Sequence, residues 1–427
     1  MRARLAKRRR LCYASGMGNG QTADLILAAG GQLIAQAGPE GASVRAIAER
    51  AGIPPPTLQH HFRSKAHLLE AIYAQAVTSH LAGSAAVLSA LAPGGEGGEP
   101  DSVRRAVRRD ITVALAAEWL REGAAAIHTA VVLHLLVQAV RDPAYAALAE
   151  RWAAETAAAL AHAALLEPDE ALFLVELLVG LVLASGPALF RRESDVLNRE
   201  LVSLACRVEE AGAGYWLAHF RALRGKRPGK GPAEVERQGG VPADILHAGV
   251  TLTAETGADA LSYRKIAARA QVAPSSVLYH FPDRRALLTA LYRAVHQRFM
   301  AAEPLTQMAQ WPHFSASGPH GRMADVFTYM IVEQRVGDVP LFLASCELFL
   351  MGWREPDLAS DALAMRLERG APDGRISADR QEALTAHLQS LWSIGVALTQ
   401  FARPSANRVA DVGRRLRAGM RIMTGEG

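Results

Sequence analysis

The chain has 427 residues, which is too long for one small domain and enough for two or three domains of about 100–200 residues each. Half of the residues are apolar, mainly Ala, Leu and Val, and only 6% are aromatic, so the composition excludes a disordered chain and predicts an all-α fold. The net charge is +5, but six basic side chains crowd into residues 2–10 and the rest of the chain is close to neutral. A nucleic-acid function must therefore rest on local motifs.

Residues 1–20 form a basic arm that no apolar segment follows, so a secretory signal is not expected. Met17 is a plausible alternative start, and the arm is either a tail that tracks DNA or an artefact of start-codon choice. Cys12, Cys206 and Cys346 lie far apart, which predicts neither a disulfide framework nor a metal site. This cysteine usage favours a reducing, cytoplasmic compartment.

The first predicted domain covers residues 21–81 and contains four helices. Thr22 is a candidate N-cap for the first helix, which the Gly-Pro-Glu-Gly sequence at 38–41 interrupts. Ser43 is placed to cap a short second helix over 44–51, and Gly52 supplies a tight turn. Prolines 54–56 are tolerated at a first turn, so a third helix is predicted over 56–62 and a fourth from Ala66. Two short helices joined by a tight turn predict a helix-turn-helix over about 44–63.

The next predicted domain, 82–222, has an apolar pattern typical of five helices, at about 102–121, 124–140, 143–164, 168–186 and 194–222. Residues 171–190 have the length of a membrane span. Glu176 and Pro187 within that segment favour a buried core or interface helix instead, and no membrane contact is predicted. Residues 223–240 are rich in Gly, Pro and charge and are interpreted as a linker that lets two units lie side by side.

The sequence beyond the linker repeats the sequence before it. Residues 245–292 align with 26–73 at a shift of 219 positions, with 20 of 48 positions identical. Weaker matches continue downstream at shifts of 213 and 212. The duplication predicts a second helix-turn-helix domain over 241–300, with its motif at about 263–282, and a second helical domain over 301–427. Helices are expected there at about 320–335, 339–353, 356–369, 377–401 and 405–423.

Residues 44–73 and 263–292 resemble the DNA-binding region of the TetR family of transcriptional regulators. The shared features are the Ile-Ala pair of the second helix, the His-Phe pair that closes the third helix, a basic residue three positions later and the Leu-Leu pair that follows. The resemblance implies two tandem units, each with an N-terminal helix-turn-helix domain and a C-terminal regulatory domain that dimerises through its last two helices. Because one chain holds both units, we expect a single-chain pseudo-dimer on an imperfect palindromic operator, with half-sites about one helical turn apart.

The resemblance also implies which residues meet double-stranded DNA. The residues that would contact phosphate at the start of the second helix are Ser43 and Arg45 in the first copy and Ser262 and Arg264 in the second. The exposed face of the third helix comprises Pro55, Pro56, Thr57, Gln59, His60 and His61 in the first copy and Pro274, Ser275, Ser276, Leu278, Tyr279 and His280 in the second. Lys65 and Arg284 would bind phosphate at the start of the fourth helix.

Three positions depart from the family pattern. Family members usually carry Tyr where Gln59 and Leu278 stand. Gln271 replaces the turn residue Gly52, and a positive φ there would cost Gln about 1 kcal/mol. The two copies are therefore predicted to bind DNA more weakly than usual, or one copy to have lost sequence specificity. Phe62 and Phe281, in contrast, are predicted to pack inside their domains.

Polar residues on otherwise apolar helices are candidates for contacts with a small, largely apolar effector: His128, His134, Gln138, Glu176 and Glu347. Each is also explained as a satisfied polar group of the core or the unit interface. No cofactor, metal site or catalytic motif is predicted, so an enzyme is not expected. The resemblance favours a ligand-responsive repressor. The alternative is a helical scaffold or sensor whose helix-turn-helix units bind a protein partner and have lost specific DNA binding.

Overall fold

The structure is a computed structural model that describes residues 19–93, 99–185, 191–224, 239–300, 310–314, 318–370 and 377–425. Residues 1–18 of the predicted basic arm and residues 225–238 of the predicted linker lie outside these ranges. Within them the chain is helical except for loops and one antiparallel hairpin, which joins β1 (Arg335–Val336) to β2 (Val339–Pro340). The all-α prediction is confirmed.

The first unit runs from α1 to α10. Its helices are α1 (Asn19–Gly41), α2 (Val44–Ala51), α3 (Pro55–His61), α4 (Lys65–Leu91), α5 (Asp101–Trp119), α6 (Ala124–Arg141), α7 (Ala146–Ala164), α8 (Pro168–Ser185), α9 (Arg191–Ala205) and α10 (Tyr215–Arg224). A short 3-10 turn, Pro143–Tyr145, precedes α7. We call α1 to α3 with the start of α4 the first head.

The second unit repeats this order. Its helices are α11 (Val241–Thr256), α12 (Tyr263–Ala270), α13 (Pro274–His280), α14 (Arg284–Met300), α15 (Gly318–Val332), α16 (Phe342–Gly352), α17 (Ala359–Glu368), α18 (Arg380–Phe401) and α19 (Arg408–Thr424). Two 3-10 turns, Ala258–Ala260 and Pro356–Leu358, precede α12 and α17. The second head comprises α11 to α13 with the start of α14.

Several predicted helices differ from the structure at their ends, and one is broken in two. The helix predicted over 194–222 is wrong, because the chain leaves α9 at Ala205 and becomes helical again only at Tyr215. Arg207, Gly212 and Gly214 adopt positive φ between them, which no α-helix accommodates. The helix predicted from 339 begins at Phe342, because the hairpin takes up the preceding residues.

Each head has a core built from equivalent positions. Ile26, Ile47 and Leu58 are buried in the first head, and Ile245, Ile266 and Val277 hold the same places in the second. These side chains come from the first three helices of each head, so the core fixes how the third helix lies on the other two. Burying each one contributes about 1.5–3 kcal/mol to folding.

The boundary between the units is centred on α8 and α18. A Cβ at Gly180 would overlap the carbonyl oxygen of Leu391, and a Cβ at Gly395 would overlap that of Glu176. The two helix backbones therefore touch at two places, with one glycine contributed by each unit. α9 and α19 pack beside this crossing, so the four helices form the interface.

Buried polar contacts cross this boundary. Glu176 of α8 accepts hydrogen bonds from Arg415 Nε (2.9 Å), Trp392 Nε1 (3.1 Å) and Thr399 Oγ1 (3.2 Å), all from the second unit. Arg366 of α17, wholly buried, donates to Ser185 Oγ, Ser194 Oγ and Asn198 Oδ1 of the first unit. Burial lowers the pKa of Arg366 to about 9. In both sets of contacts, the residues that the first unit contributes differ from those that the second unit contributes.

A second polar cluster lies where the heads meet the helical bodies. Arg141, at the end of α6, donates to the carbonyls of Thr253 and Ala254 in α11 and pairs with Glu347 at 2.5 Å. Arg354 holds Asp259 through two hydrogen bonds of 2.6 and 2.8 Å. We call Arg141, Glu347, Arg354 and Asp259 the junction cluster. It anchors the second head to both units.

One described helix, α6, is long and apolar enough to cross a membrane, and a little over half of it is buried inside the protein. The segment 171–190, whose length also suits a membrane span, is buried more completely than α6. Its described part lies in α8, where every residue from Phe173 to Ser185 is buried. The sequence interpretation of this segment as an interface helix is therefore confirmed.

Candidate nucleic-acid interface

The first head presents α3 on a framework fixed by caps. Ser43 Oγ accepts the N–H of Ala46 and so caps α2, which ends at Gly52 with φ 72°. Pro54 is the N-cap of α3 and Pro55 its first residue, as the proline pattern predicts, although α3 begins one residue earlier than expected. Leu58 and Phe62 are buried and hold α3 against the head.

The second head repeats this geometry. Ser262 Oγ caps α12 through the N–H of Lys265, and α13 again begins with a proline, Pro274. Val277 and Phe281 are buried. The second head adds a hydrogen bond at a position where the first head has Val44. Tyr263 Oη donates to the carbonyl of Phe281 (3.0 Å), which connects α12 to the end of α13. The prediction that Phe62 and Phe281 pack inside their domains is confirmed.

The side chains assigned to the reading faces are nearly all accessible. Exposed residues are Pro55, Pro56, Gln59 and His60 on α3 and Pro274, Ser275, Leu278 and Tyr279 on α13. Thr57, His61, Ser276 and His280 are half-buried. Ser43, Arg45, Ser262 and Arg264 are exposed at the starts of α2 and α12. Each head therefore brings its predicted residues to one accessible surface, and their contact with DNA stays a prediction.

The two cations predicted to bind phosphate at the start of the fourth helix, which we call the phosphate clamps, each lie near an acidic side chain. Lys65 Nζ lies 3.8 Å from Glu40, and Arg284 Nη2 lies 3.4 Å from Glu355 in the loop after α16. The N-cap of α4 is Ser64, but at the same place in the second head Asp283 accepts the N–H of Ala286. A carboxylate there repels phosphate, so the second clamp is the weaker of the two. The sequence carries this signal in the Asp-Arg pair at 283–284.

The turn of the second head is strained. Gln271 adopts φ 56°, the left-handed conformation that Gly52 adopts in the first head. We expect Gln271→Gly to raise the free energy of unfolding by about 1 kcal/mol, because glycine carries no penalty there. Urea unfolding followed by circular dichroism measures this change. Gly52→Gln is the matched control and should lower the same quantity by a similar amount; equal stability of all three proteins would contradict the strain.

The predicted effector residues do not converge on one site. Glu176 and Glu347 each contact an arginine across the unit boundary. His134 is buried near the junction cluster, and its pKa is lowered by burial and then by the charges of Arg354 and Arg141. His128 and Gln138 are half-buried on α6. None of the five lines the surface cavity of about 400 Å³ beside α9, whose lining includes Arg105, Glu200, Arg207 and Glu210.

Sequence reasoning missed an aromatic group in the first unit. Trp152 Nε1 donates to His80 Nδ1 (3.1 Å), Trp119 Nε1 donates to Ser84 Oγ (3.0 Å), and the three rings lie 4.8–5.7 Å apart. Among the described residues, His80 Nε2 is a buried atom with no hydrogen-bond partner. The spacing of His80 and Ser84 on one face of α4 was the available signal.

The family comparison agrees with this geometry. The family model for bacterial regulatory proteins of the tetR family matches residues 26–72 and again 245–291, which are the two heads. No curated protein matches the chain. Both matched segments place their third helix on an accessible surface with the caps and buried anchors described above. The chain therefore carries, in tandem, two domains that match the model of this family of bacterial regulatory proteins.

Proposed function

We propose that the chain is a ligand-responsive repressor that binds one imperfect palindromic operator as a single-chain pseudo-dimer. The observation that carries this proposal is the interface between unlike units. In the crossing of α8 and α18, Gly180 meets Leu391 as Gly395 meets Glu176, so Leu391 stands at the position equivalent to Glu176. Two first units facing each other would bring two Glu176 carboxylates together without Arg415. The buried polar contacts thus favour pairing of a first unit with a second unit.

The contact between the heads supports joint binding to one duplex. Gly38, at which α1 is kinked, adopts a non-helical φ of 68°, and a Cβ there would overlap the Asp259 carboxylate of the second head. The heads therefore adjoin at this point. Their reading helices, with unlike exposed residues, would meet unlike half-sites. The domain boundaries predicted from sequence, 21–81, 82–222, 241–300 and 301–427, stay a prediction, and the first of them falls within α4.

The junction cluster is the proposed route of regulation. Arg141 ends α6, the helix that carries His128, His134 and Gln138, and it holds the carbonyls at the end of α11. An effector that shifts α6 would move the second head through Arg141. We place the effector in the apolar body of the first unit, near His128 and the unpaired nitrogen of His80. The apolar sequence of α6 and the indole rings beside His80 favour a small, largely apolar molecule.

We expect the full chain to bind a duplex selected from a random library, with one chain per duplex, and to release it as salt is raised. Arg45→Ala and Arg264→Ala should each weaken binding and reduce the slope of log K against log salt by about 1, because each removes one phosphate contact. Fluorescence anisotropy gives the affinities, and light scattering of the complex gives the stoichiometry.

Arg151→Ala is the matched control, because Arg151 is an exposed cation of α7 that pairs with Glu155 away from the heads. It should leave the salt slope unchanged. Two chains on each operator would overturn the pseudo-dimer. A chain that binds no duplex specifically would favour the alternative, a scaffold whose heads bind a protein partner.

A further inference from the structure

The outer face of α13 carries two large apolar side chains. Leu278 is 53% exposed and Tyr279 is 83% exposed, whereas Val277 and Phe281 on the inner face are 0% and 8% exposed. Leu278 therefore contributes nothing to the core of the second head. An exposed leucine beside an exposed tyrosine on a reading helix provides a surface for an apolar contact.

The first head has the same framework with different chemistry. The positions of Leu278 and Tyr279 are held by Gln59 and His60, both exposed. α3 and α13 have equal length, each begins with a proline, and each is anchored by two buried side chains. The heads therefore share the buried anchors of their third helices and differ in what these helices offer to a base pair.

Each of these side chains matches a different group in the major groove. The 5-methyl group of thymine is the apolar group there, and an aliphatic side chain contacts it. A glutamine amide pairs with N6 and N7 of adenine. Leucine forms no hydrogen bond, so a polar base edge buried against it would lose its water without compensation.

Given the DNA-binding function proposed above, we propose that the two heads read bases by different chemistry. Leu278 recognises a thymine by its 5-methyl group, with Tyr279 extending the apolar contact, and Gln59 recognises an adenine by hydrogen bonds. The charges around α13 favour DNA over an apolar protein surface as the occupant. Arg264, Lys265 and Arg285 are exposed cations of the same head.

The test replaces single atoms of the DNA. After an operator has been selected with the full chain, each thymine is changed in turn to deoxyuridine, which lacks only the methyl group. We expect a loss of affinity of about fourfold at a thymine in one half-site, as removal of one buried methyl predicts, and less than twofold in the other half-site. In that other half-site, 7-deazaadenine, which lacks N7, should weaken binding by a similar factor.

Two exposed-residue variants assign these effects. Leu278→Ala should bind the thymine and uracil duplexes equally, and Gln59→Ala should bind the adenine and 7-deazaadenine duplexes equally, while each keeps the other sensitivity. Uracil tolerated at every position, or a uracil effect that persists in Leu278→Ala, would overturn this inference and leave the DNA-binding function intact. Absence of any specific, salt-dependent binding to the unmodified duplex would overturn both.

Discussion

Replacement of Glu176 by alanine is expected to lower the free energy of unfolding by about 3–5 kcal/mol, a large part of the stability of a typical domain. Glu176 is fully buried, and Arg415, which is 7% exposed, donates to it with Nε at 2.9 Å. The substitution leaves the guanidinium buried with Asp169, 3.6 Å from its Nη1, as the remaining acidic neighbour. Trp392 Nε1 loses its acceptor in the same step, whereas Thr399 Oγ1 keeps backbone carbonyls of α18 as acceptors. Urea unfolding followed by tryptophan fluorescence measures the loss.

Two controls separate loss of the charge partner from loss of packing. Glu155→Ala removes the partner of Arg151, a pair with both side chains exposed, and should change stability by less than about 1 kcal/mol. The double variant Glu176→Leu with Arg415→Met fills the same space without charge and should recover most of the lost stability. A double variant as unstable as Glu176→Ala would show that the ion pair itself stabilises the interface.

The heads were predictable from sequence because their signals are local. Ser43 caps α2 by accepting the N–H of Ala46, three residues along the chain. Gly52 readily adopts the positive φ of the turn, and a proline is tolerated in the first turn of α3. The duplication supplied an independent copy of the same pattern. It also identified Gln271 as a strained position, which the φ of 56° confirms.

The unit boundary was predicted only in outline. Apolar α8 and α18 were expected to pair, but the partners of Glu176 and Glu347 come from more than 200 residues away along the chain. A buried acid with a remote arginine and a buried acid that binds a ligand look alike in sequence. The structure places these two carboxylates in cross-unit ion pairs. The break after α9 was missed because Arg207, which no local pattern marks, adopts φ 56°.

Acidification from pH 6.5 to pH 5 is expected to destabilise the protein steeply, by up to about 4 kcal/mol per pH unit. Burial lowers the pKa of His80 to about 3, and burial lowers the pKa values of His134 and His387 well below the usual range. An unfolded histidine has a pKa near 6.5 and gains a proton in this window, whereas these three stay neutral in the fold. Each lowers the free energy of unfolding by about 1.4 kcal/mol per pH unit as the pH falls.

The free energy of unfolding falls as the pH falls because the unfolded state binds more protons than the folded state. Stability from these histidines is complete above pH 6.5 and is lost towards pH 3, the folded pKa of His80. Burial raises the pKa values of Asp259 and Glu200, so these carboxyl groups bind protons more readily in the fold and oppose part of the loss as the pH falls.

His80 also gives this prediction a sharp test. Its Nδ1 accepts a hydrogen bond from Trp152 Nε1, so protonation at Nδ1 would break that bond as well as place a charge beside two indole rings. His80→Asn keeps an acceptor for Trp152 but cannot titrate, and it should remove about one third of the pH slope in urea unfolding. His60→Asn, at an exposed position, should leave the slope as it is. If His80→Asn leaves the pH slope unchanged, His80 does not take up a proton on unfolding, and other groups account for the slope.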